Sequence, residues 1–408
     1  MERYESYKDS GIEWIGKIPS HWGIIPLKRI MQIRNGQDYK LYTDNDRYPV
    51  IGSGGCFAYC SRFLYDGEAL LLGRKGTIDK PLYIKGRFWV VDTMFYAVPK
   101  IALNVRYCYY QALTIPFDKY STSTALPSMT QTDLGYHIFC LPPFVEQQVI
   151  VAYLDKRCSE IDKAIATQQK RIALLQELKQ SIITHAVTQG IHSDVPLKDS
   201  GVEWIGKVPE HWEVMKTSLL YTNIGSGTTP STSKQEYYED DGFCWLQTGD
   251  LNDGYITDTS KKISKVAVKD YKLRFYPVGS IVIAMYGATI GKIGLLKIPT
   301  ATNQACCVLP YSNKMNEMYA FYVCQIAKSQ MLLEAVGGGQ PNISQDIIKK
   351  LKLPVPPLCE QQAIAVYLDG RCSEIDKAIA TQQKRIALLQ ELRQSVIKEV
   401  ITGKIKVC

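Results

Sequence analysis

The 408-residue sequence contains no apolar run of about 18 residues, the length that a membrane-spanning helix needs. Its first residues, MERYESYKDS, lack the basic and then apolar segments of a signal peptide. We therefore expect a cytoplasmic protein. None of the twelve cysteines forms a Cys-x-x-Cys pair, and the nearest case, Cys56 and Cys60, has no histidine close to it in sequence. Reduced thiols are expected, rather than a disulfide framework or a zinc site.

The motifs that carry catalysis are also missing. LPPF at 141–144 differs from the methyltransferase signature, because Leu141 stands where an Asn or Asp must accept hydrogen bonds from an amine. GATIGK at 287–292 has glycines too close together for a phosphate-binding loop, and Ile293 replaces the Ser or Thr that binds Mg²⁺. No glycine-rich nucleotide motif follows a strand, and no carboxylate cluster resembles a nuclease site. Nothing in the sequence predicts an enzyme.

The formal charge of +8 comes from 48 Lys and Arg against 40 Asp and Glu, which permits a polyanionic partner without requiring one. The excess lies in two blocks. Residues 23–140 carry 14 basic and 9 acidic side chains, and residues 213–353 carry 15 and 12. If the protein binds nucleic acid, these two blocks bind it.

Three segments of the chain occur twice. Residues 157–178, RCSEIDKAIATQQKRIALLQEL, recur without a change 214 positions later, and residues 126–148 have a match at the same offset. KDSGIEWIGKIPSHW at 8–22 returns 190 positions later with 12 of 15 positions identical. The chain is therefore two half-proteins in tandem, each with a variable block between fixed segments.

The 22-residue repeat belongs to a predicted long helix, which begins after a Pro-Pro pair and has a glutamate in its first turn. Apolar residues recur there at spacings of three and four, the pattern of a coiled-coil seam, although Lys179 interrupts it. A helix with one apolar stripe needs a partner, and a matching helix is present in the same chain. We expect Gln168 and Gln382 near the middle of the pair, where a buried polar residue fixes the register. The predicted pairing residues are Ile161, Ile165, Gln168, Ile172, Leu175, Ile375, Ile379, Gln382, Ile386 and Leu389.

The two variable blocks have apolar runs broken by glycine loops, which predicts mixed α/β globules. Loops rich in Gly, Ser, Thr, Arg and Lys let amides and hydroxyls approach phosphates, while Arg, Asn and Gln pair with base edges. One such loop alone is more often a surface turn, so the prediction of DNA binding depends on their combination. The candidate DNA-binding residues are Ser53, Arg74, Lys75, Thr77, Ser121, Thr122, Ser123, Ser128, Ser226, Thr228, Thr229, Lys234, Tyr286, Thr289, Lys292, Asn303, Gln304, Gln340 and Asn342.

Over essentially its whole length, the chain resembles the specificity (S) subunits of Type I restriction-modification systems. The resemblance is carried by SGIEWIGKIPSHW and its second copy, and by PPFVEQQ...AYLDKRCSEIDKAI and PPLCEQQ...VYLDGRCSEIDKAI, with two dissimilar blocks. It implies an α+β fold in which two globular mixed α/β target recognition domains are joined by two long antiparallel coiled-coil helices in a pseudo-two-fold internal repeat. The recognition domains are expected at 1–144 and 191–357, and the conserved helices at 145–190 and 358–408.

The resemblance also implies a function. Each recognition domain reads one half of a bipartite DNA target, two methyltransferase subunits dock on the repeated helices, and restriction subunits are further partners. Adenine methylation and ATP-dependent cleavage belong to those partners, together with S-adenosylmethionine, ATP and Mg²⁺. The chain itself is then a non-catalytic subunit that holds no cofactor and no metal. Two other interpretations stay open, a coiled-coil scaffold that binds protein and a self-contained DNA-modifying enzyme.

Overall fold

The computed structural model describes residues 2–44, 46–120, 127–336 and 341–407. The chain divides into two compact units, a first unit of Met1–Lys170 with Gln382–Cys408 and a second unit of Arg171–Thr381. Each unit contains one variable block and a part of each long helix, so the four domain limits given above stay a prediction. Within the described residues, no helix is long and apolar enough to cross a membrane.

The first half of the chain contains the following strands and helices, in chain order. Its strands are β1 (Tyr7–Asp9), β2 (Lys17–Pro19), β3 (Gly23–Pro26), β4 (Met31–Asn35), β5 (Tyr48–Gly52), β6 (Gly55–Cys60), β7 (Tyr65–Gly73), β8 (Leu82–Val90), β9 (Met94–Pro99) and β10 (Ile138–Leu141). Its helices are α1 (Leu27–Ile30), α2 (Val105–Ala112), α3 (Phe117–Tyr120), α4 (Gln131–Tyr136) and α5 (Phe144–Gln189).

The second half repeats this plan with more elements. Its strands are β11 (Leu197–Asp199), β12 (Lys207–Pro209), β13 (Glu213–Lys216), β14 (Gly225–Ser226), β15 (Tyr238–Leu246), β16 (Gly254–Ile256), β17 (Lys261–Ile263), β18 (Ile281–Ala284), β19 (Ile293–Leu296), β20 (Ala301–Thr302), β21 (Cys306–Leu309) and β22 (Lys352–Val355). Its helices are α6 (Thr217–Leu220), α7 (Lys265–Asp270), α8 (Glu317–Leu333), α9 (Gln345–Lys350) and α10 (Leu358–Ile401).

The first unit is built on a sheet with the strand order β4-β9-β7-β8-β5-β6, in which only the β8–β5 pair is parallel. Both faces of this sheet are covered. Along β7, Leu70 and Leu72 pack with α2 in one apolar cluster, while Ala69 and Leu71 belong to a second cluster. A strand covered on both faces needs a continuous apolar run, which is why EALLLG lacks the polar alternation of a half-exposed strand.

The second unit has a sheet with the order β14-β21-β18-β19-β16 and a smaller one with the order β17-β15-β20. The central strand β18 again faces two clusters, since Ile281 and Ile283 pack with α8 whereas Val282 and Ala284 pack on the other side. The second half is 24 residues longer than the first between its fixed segments, because the two repeat offsets are 190 and 214. The main strands of its variable block form two sheets where those of the first variable block form one six-stranded sheet, so individual loops of the two halves do not correspond one to one.

In the first unit, the start of the long helix is held by a buried carboxylate. Glu146, in the first turn of α5, accepts hydrogen bonds from Trp22 Nε1 at 3.1 Å and from Tyr4 Oη at 2.5 Å, and its other oxygen lies 2.9 Å from His21 Nε2. Trp22 is fully buried. The Trp-containing repeat at 8–22 is therefore the segment that binds the beginning of the helix.

The second unit repeats this junction. Glu360 accepts a hydrogen bond from Trp212 Nε1 at 2.9 Å and lies 2.7 Å from His211 Nε2. The next residue of each helix completes the contact: Gln147 Nε2 donates to Pro142 O and Gln361 Nε2 donates to Pro356 O, both at 2.9 Å. The repeated Pro-Pro-x-x-Glu-Gln motif thus has a physical reason, since it closes each helix start onto the chain before it.

The same glutamines bind the variable blocks. Gln147 Oε1 accepts from the backbone N–H of Asn104, and Gln361 Oε1 accepts from that of Asn316. Asn104 and Asn316 are the N-cap residues of α2 and α8, and each caps its helix through its own side chain. One glutamine in each unit therefore connects the long helix to the first helix packed on the sheet.

Within each unit, a part of α5 lies beside a part of α10. In the first unit Arg393 Nε is 3.3 Å from Asp162 Oδ1, and in the second Lys179 Nζ is 2.7 Å from Asp376 Oδ1. The two aspartates are equivalent positions of the repeat, and so are the two cations. The early part of one helix meets the late part of the other, so the pairing is antiparallel and the expected fold class is confirmed. Lys179 interrupts the apolar seam because it forms this ion pair.

The predicted pairing residues lie along these contacts with graded burial. Ile161 and Ile375 are buried, whereas the other predicted seam residues are half-buried. Gln168 Oε1 is buried and has no hydrogen-bond partner in the described part of the chain, while Gln382 Oε1 accepts from Arg385 at 3.5 Å. The proposed role of these glutamines in fixing the register stays a prediction.

His137 is a buried titratable group in the first unit. It is 2% exposed, its ring stacks on Trp14 at 5.2 Å, and Nδ1 lies 2.9 Å from Tyr120 Oη. Burial lowers the pKa of this imidazole from 6.5 to about 4. In the second half, Leu351 occupies the equivalent position 214 residues later.

We expect His137 to make the first unit sensitive to acid. An unfolded histidine binds a proton below about pH 6.5, whereas the folded one does so only near pH 4, so its contribution to stability is present above pH 6.5 and is lost as the pH falls towards 4. Between pH 7 and pH 5 this loss is about 2 kcal/mol. His137→Leu, which copies the second half, should lack it.

The measurement is hydrogen exchange of peptides from β7 and β9 at both pH values, with peptides from β18 and β21 as the internal control. Equal acid sensitivity of the parent and His137→Leu in the first unit would contradict this assignment.

Candidate nucleic-acid interface

In the first unit, five segments that are distant in sequence come together around the turn between β8 and β9. This first loop cluster consists of residues 36–37, 51–54, 74–77, 91–94 and 127–129. Its frame is made of main-chain hydrogen bonds: Gly36 N to Met94 O (3.0 Å), Gln37 N to Val90 O (2.8 Å), Arg74 N to Thr93 O (2.9 Å), Val91 N to Ile51 O (3.2 Å), Gly76 N to Pro127 O (2.9 Å) and Met129 N to Arg74 O (3.0 Å). The frame consists of backbone atoms, and the exposed side chains on it include those of Gln37, Lys75, Thr77, Asp92 and Thr93.

The second unit builds a similar frame, and only its segment at 342–345 resembles a segment of the first cluster in sequence. This second loop cluster consists of residues 226–229, 285–286, 302–305 and 342–345. Its hydrogen bonds are Gly227 N to Asn303 O (3.2 Å), Thr228 N to Thr302 O (3.0 Å), Met285 N to Ala305 O (2.8 Å) and Ile343 N to Met285 O (2.8 Å). The last two repeat the contacts that Arg74 makes with Thr93 and Met129. Backbone geometry is thus conserved between the halves where side chains are not.

One glycine in each cluster is required by this close approach. A Cβ on Gly36 would lie 2.0 Å from Val91 O, and a Cβ on Gly227 would lie 1.6 Å from Thr302 O. Both distances are far below any van der Waals contact, and the obstacle is backbone, which does not rotate away. Each cluster therefore admits only glycine at this position.

A glutamine binds the outer segment of each cluster to its sheet. Gln131, in the first turn of α4, donates to Ile33 O, and Gln345, in the first turn of α9, donates to Ser226 Oγ at 2.9 Å. Thr130 and Ser344 cap these two helices. Neither glutamine was among the sequence candidates, although the matching segments at 126–148 and 340–362 contain both at the same offset.

The predicted residues of the first block fall largely in the first loop cluster. Ser53 follows β5, and Arg74, Lys75 and Thr77 follow β7, where Lys75 pairs with Ser128 in an isolated β-bridge. Lys75 and Thr77 are exposed and Arg74 is half-buried. Ser121, Thr122 and Ser123 lie outside the described residues. Gln37, Asp92 and Thr93 are exposed members of the cluster that the sequence did not indicate.

The described candidate residues of the second block lie in three places, of which Lys234 occupies one by itself. The second loop cluster contains Ser226, Thr228, Thr229, Tyr286, Asn303, Gln304 and Asn342. Thr289 and Lys292 belong to the turn between β18 and β19, where Lys292 N donates to Thr289 O at 2.9 Å. Gln340 lies outside the described residues.

Lys234 and Asn303 have local roles in the structure. Lys234 lies beside the smaller sheet, with Nζ 3.2 Å from Tyr237 Oη and 3.7 Å from Glu236. The Tyr237 hydroxyl raises the pKa of this lysine. Asn303 is buried, and its Oδ1 accepts from Ala305 N at 3.1 Å, so its side chain shapes the turn that presents Gln304.

The loop clusters offer hydrogen-bond donors and acceptors. They present guanidinium, ammonium, amide and hydroxyl groups on a fixed backbone, as nucleic-acid recognition requires. Behind the second cluster, burial raises the pKa of the Cys307 thiol to about 12, so it stays protonated. Within the described residues, no three His, Cys, Asp or Glu side chains come together as metal ligands, and every described cysteine is free of a disulfide.

Tandem mixed α/β units, each with a loop cluster and a share of two antiparallel helices, define an internally duplicated protein with one candidate binding surface in each half. Comparisons with known proteins agree with this class. The family model described as the Type I restriction modification DNA specificity domain matches residues 19–176 and again 209–391. The chain therefore belongs to the Type I restriction modification DNA specificity family, as a specificity subunit with two target recognition domains.

Individual relatives match most of the chain. The putative type I restriction enzyme MjaX specificity subunit of Methanocaldococcus jannaschii is 29% identical over 96% of this chain and 96% of its own length. The MjaVIII specificity subunit of the same organism is 28% identical over 84% and 78%. A solved chain from work on complex assembly and conformational transition of the type I R-M system shares the fold, with a TM-score of 0.73 at 15% identity over 95% of this chain and 99% of its own.

The required glycines give a test of the loop clusters. Gly227→Ala should separate residues 227–228 from 302–303 and lower the free energy of unfolding by about 2 kcal/mol or more. The added methyl group meets backbone atoms of Thr302, which cannot rotate away as a side chain would. Hydrogen exchange of amides at 302–305 should become faster. Gly249→Ala is the matched control, since nothing lies within 4 Å of its added Cβ. Parent-like exchange in Gly227→Ala would mean that the frame is not closed as described.

Proposed function

We propose that each unit reads one half of a bipartite DNA target through its loop cluster, and that the repeated helices hold two copies of a methyltransferase subunit. Restriction subunits join the same assembly. The observation that carries this proposal is the duplicated main-chain frame, which presents different side chains in the two units. Two units with a similar backbone arrangement but different exposed side chains suit two half-sites of different sequence.

The DNA-binding part follows from the chemistry of the clusters. Exposed amides and cations on rigid turns satisfy base edges and phosphates, and the positive excess of the two variable blocks favours a polyanion. Both clusters are fixed by backbone hydrogen bonds, so few groups lose freedom when they bind. This arrangement favours recognition of one sequence over general attraction to DNA.

The docking part follows from exposed leucines in the 22-residue repeat. Leu174 and Leu178 of α5 lie in the second unit and are 54% and 47% exposed, while Leu388 and Leu392 of α10 lie in the first and are 64% and 45% exposed. Pairing between the helices explains identity along the seam, but it does not explain identity at exposed apolar positions. One such leucine pair in each unit fits two copies of the same protein partner.

We further propose that this chain is non-catalytic and acts in the cytoplasm. S-adenosylmethionine, ATP and Mg²⁺ are then bound by the methyltransferase and restriction subunits, whose chemistry this chain directs to one DNA sequence. The loop clusters support this assignment, because the groups that they present bind and orient a ligand, and do not form an activated nucleophile or an acid and base pair.

The DNA prediction is tested after the target has been identified by mapping methylated adenines in cells with and without this gene. The purified assembly should bind a duplex with both half-sites at least about 1,000-fold more tightly than a scrambled duplex, with a steep salt dependence. Fluorescence anisotropy measures this ratio. Equal affinity for both duplexes would favour a protein-binding scaffold. Methyl transfer by this chain alone, with S-adenosylmethionine, would show a self-contained enzyme.

The docking prediction is tested with Leu174→Glu and Leu388→Glu. A charge within an apolar contact is costly, so each single variant should retain one methyltransferase subunit and the double variant should retain none. Native mass spectrometry counts the subunits. Gln176→Glu with Gln390→Glu is the matched control, because it adds the same charges at exposed polar positions. Two bound subunits on the double leucine variant would place the docking surface elsewhere.

A further inference from the structure

We propose that Arg74 reads a guanine in one half-site and that Gln304 reads an adenine in the other. This inference rests on the proposed DNA-reading function and goes beyond it, because it assigns a base to a residue in each unit. It starts from the equal frames of the two loop clusters. Where backbone positions correspond, the exposed side chains must make the difference between the two targets.

Arg74 is the guanidinium of the first loop cluster. Its backbone is fixed on both sides, since its N–H donates to Thr93 and its carbonyl accepts from Met129. Its Nη1 donates to Asp92 O at 3.3 Å, and the guanidinium carbon lies 5.9 Å from the centroid of the Phe95 ring. One edge of the guanidinium is therefore anchored on the protein, which orients its other donors.

An oriented guanidinium suits one base in particular. Guanine presents O6 and N7 side by side in the major groove, and the parallel N–H groups of an arginine match both acceptors. The exposed ammonium of Lys75, on the next residue, lacks this planar geometry and suits a neighbouring phosphate. Discrimination in this unit is thus assigned to Arg74, and general affinity to Lys75.

The second loop cluster has no cation at the corresponding place. Met285 makes the backbone contacts that Arg74 makes in the first unit, and Tyr286 follows where Lys75 follows. The exposed groups of this cluster include the amide of Gln304, at the tip of the turn that Asn303 shapes. The second unit therefore cannot use the guanidinium mode of the first, and an amide takes its place.

The amide of Gln304 has a defined orientation. Thr229 Oγ1 donates to Gln304 Oε1, which leaves the Nε2 donors and the second lone pair of Oε1 to face outward. Adenine offers in the major groove the complement of this pair, an acceptor at N7 and a donor at N6. Thr229 thus acts as a positioning residue, because its hydroxyl holds the amide of Gln304 in place.

The test uses the whole assembly with its methyltransferase subunits and a set of duplexes, each with one base pair of the mapped target replaced. Arg74→Ala should weaken binding of the parent duplex about 5- to 150-fold and should lose discrimination at one G·C pair of one half-site. Gln304→Ala should do the same at one A·T pair of the other half-site. Arg74→Lys should recover part of the affinity but not the discrimination, because it lacks the planar pair of donors.

Each other outcome has a distinct meaning. Arg74→Lys that restores parental binding, with no base position altered in Arg74→Ala, would overturn the assignment in favour of a phosphate contact. Loss of discrimination in the same half-site for both variants would also overturn it. Normal discrimination at the unaffected half-site shows that a variant is folded. A parent assembly that does not distinguish the mapped target from a scrambled duplex would refute the proposed function itself, before any variant is measured.

Discussion

Each unit of this protein depends on one carboxylate near the start of a long helix. Glu146 and Glu360 accept the indole N–H groups of Trp22 and Trp212, at 3.1 and 2.9 Å. Glu146 is buried and Glu360 is half-buried. A carboxylate removed from water is costly unless its oxygens are hydrogen-bonded, and the first turn of a helix is where negative charge is favoured. The indole donor and the helix start therefore stabilise the same charge. The adjacent glutamine extends this contact to the globular block, so the position of the block is fixed by its own helix.

That constraint explains which parts of the chain are alike and which differ. The Trp-containing repeat, the Pro-Pro pair and the Glu-Gln pair form one joint, and a change in any of them leaves a buried group without its partner. The loop clusters are connected to the joint by sheets whose central strands are buried on both faces. Their frames consist of backbone bonds, which tolerate almost any side chain except at Gly36 and Gly227. The two halves are therefore alike at this joint and differ at the exposed side chains of the loop clusters.

The sequence predicted the parts of this fold that leave a periodic or repeated pattern. The duplication, the long helices, the family and the α+β class with paired antiparallel helices were predicted and are confirmed. The loop clusters were predicted only in part. Arg74 and Gln304 stand in loops whose composition indicated binding, but their contacts come from segments separated by many residues, such as 74 with 129. No local pattern reveals such pairings. The sequence around Gly36 does not indicate that glycine is required there, because the obstructing carbonyl belongs to a residue more than fifty positions away.

A frame made of backbone atoms has a consequence for the inheritance of the gene. Substitutions at the outer positions of a cluster leave the hydrogen bonds between its segments intact. Under the proposed function, a few altered codons therefore change the preferred DNA sequence while the polypeptide still folds. The two halves of this chain already illustrate that freedom, since unrelated residues occupy one geometry. On the same proposal, a lineage that carries such a chain acquires a new DNA target without any change in the contacts between its subunits.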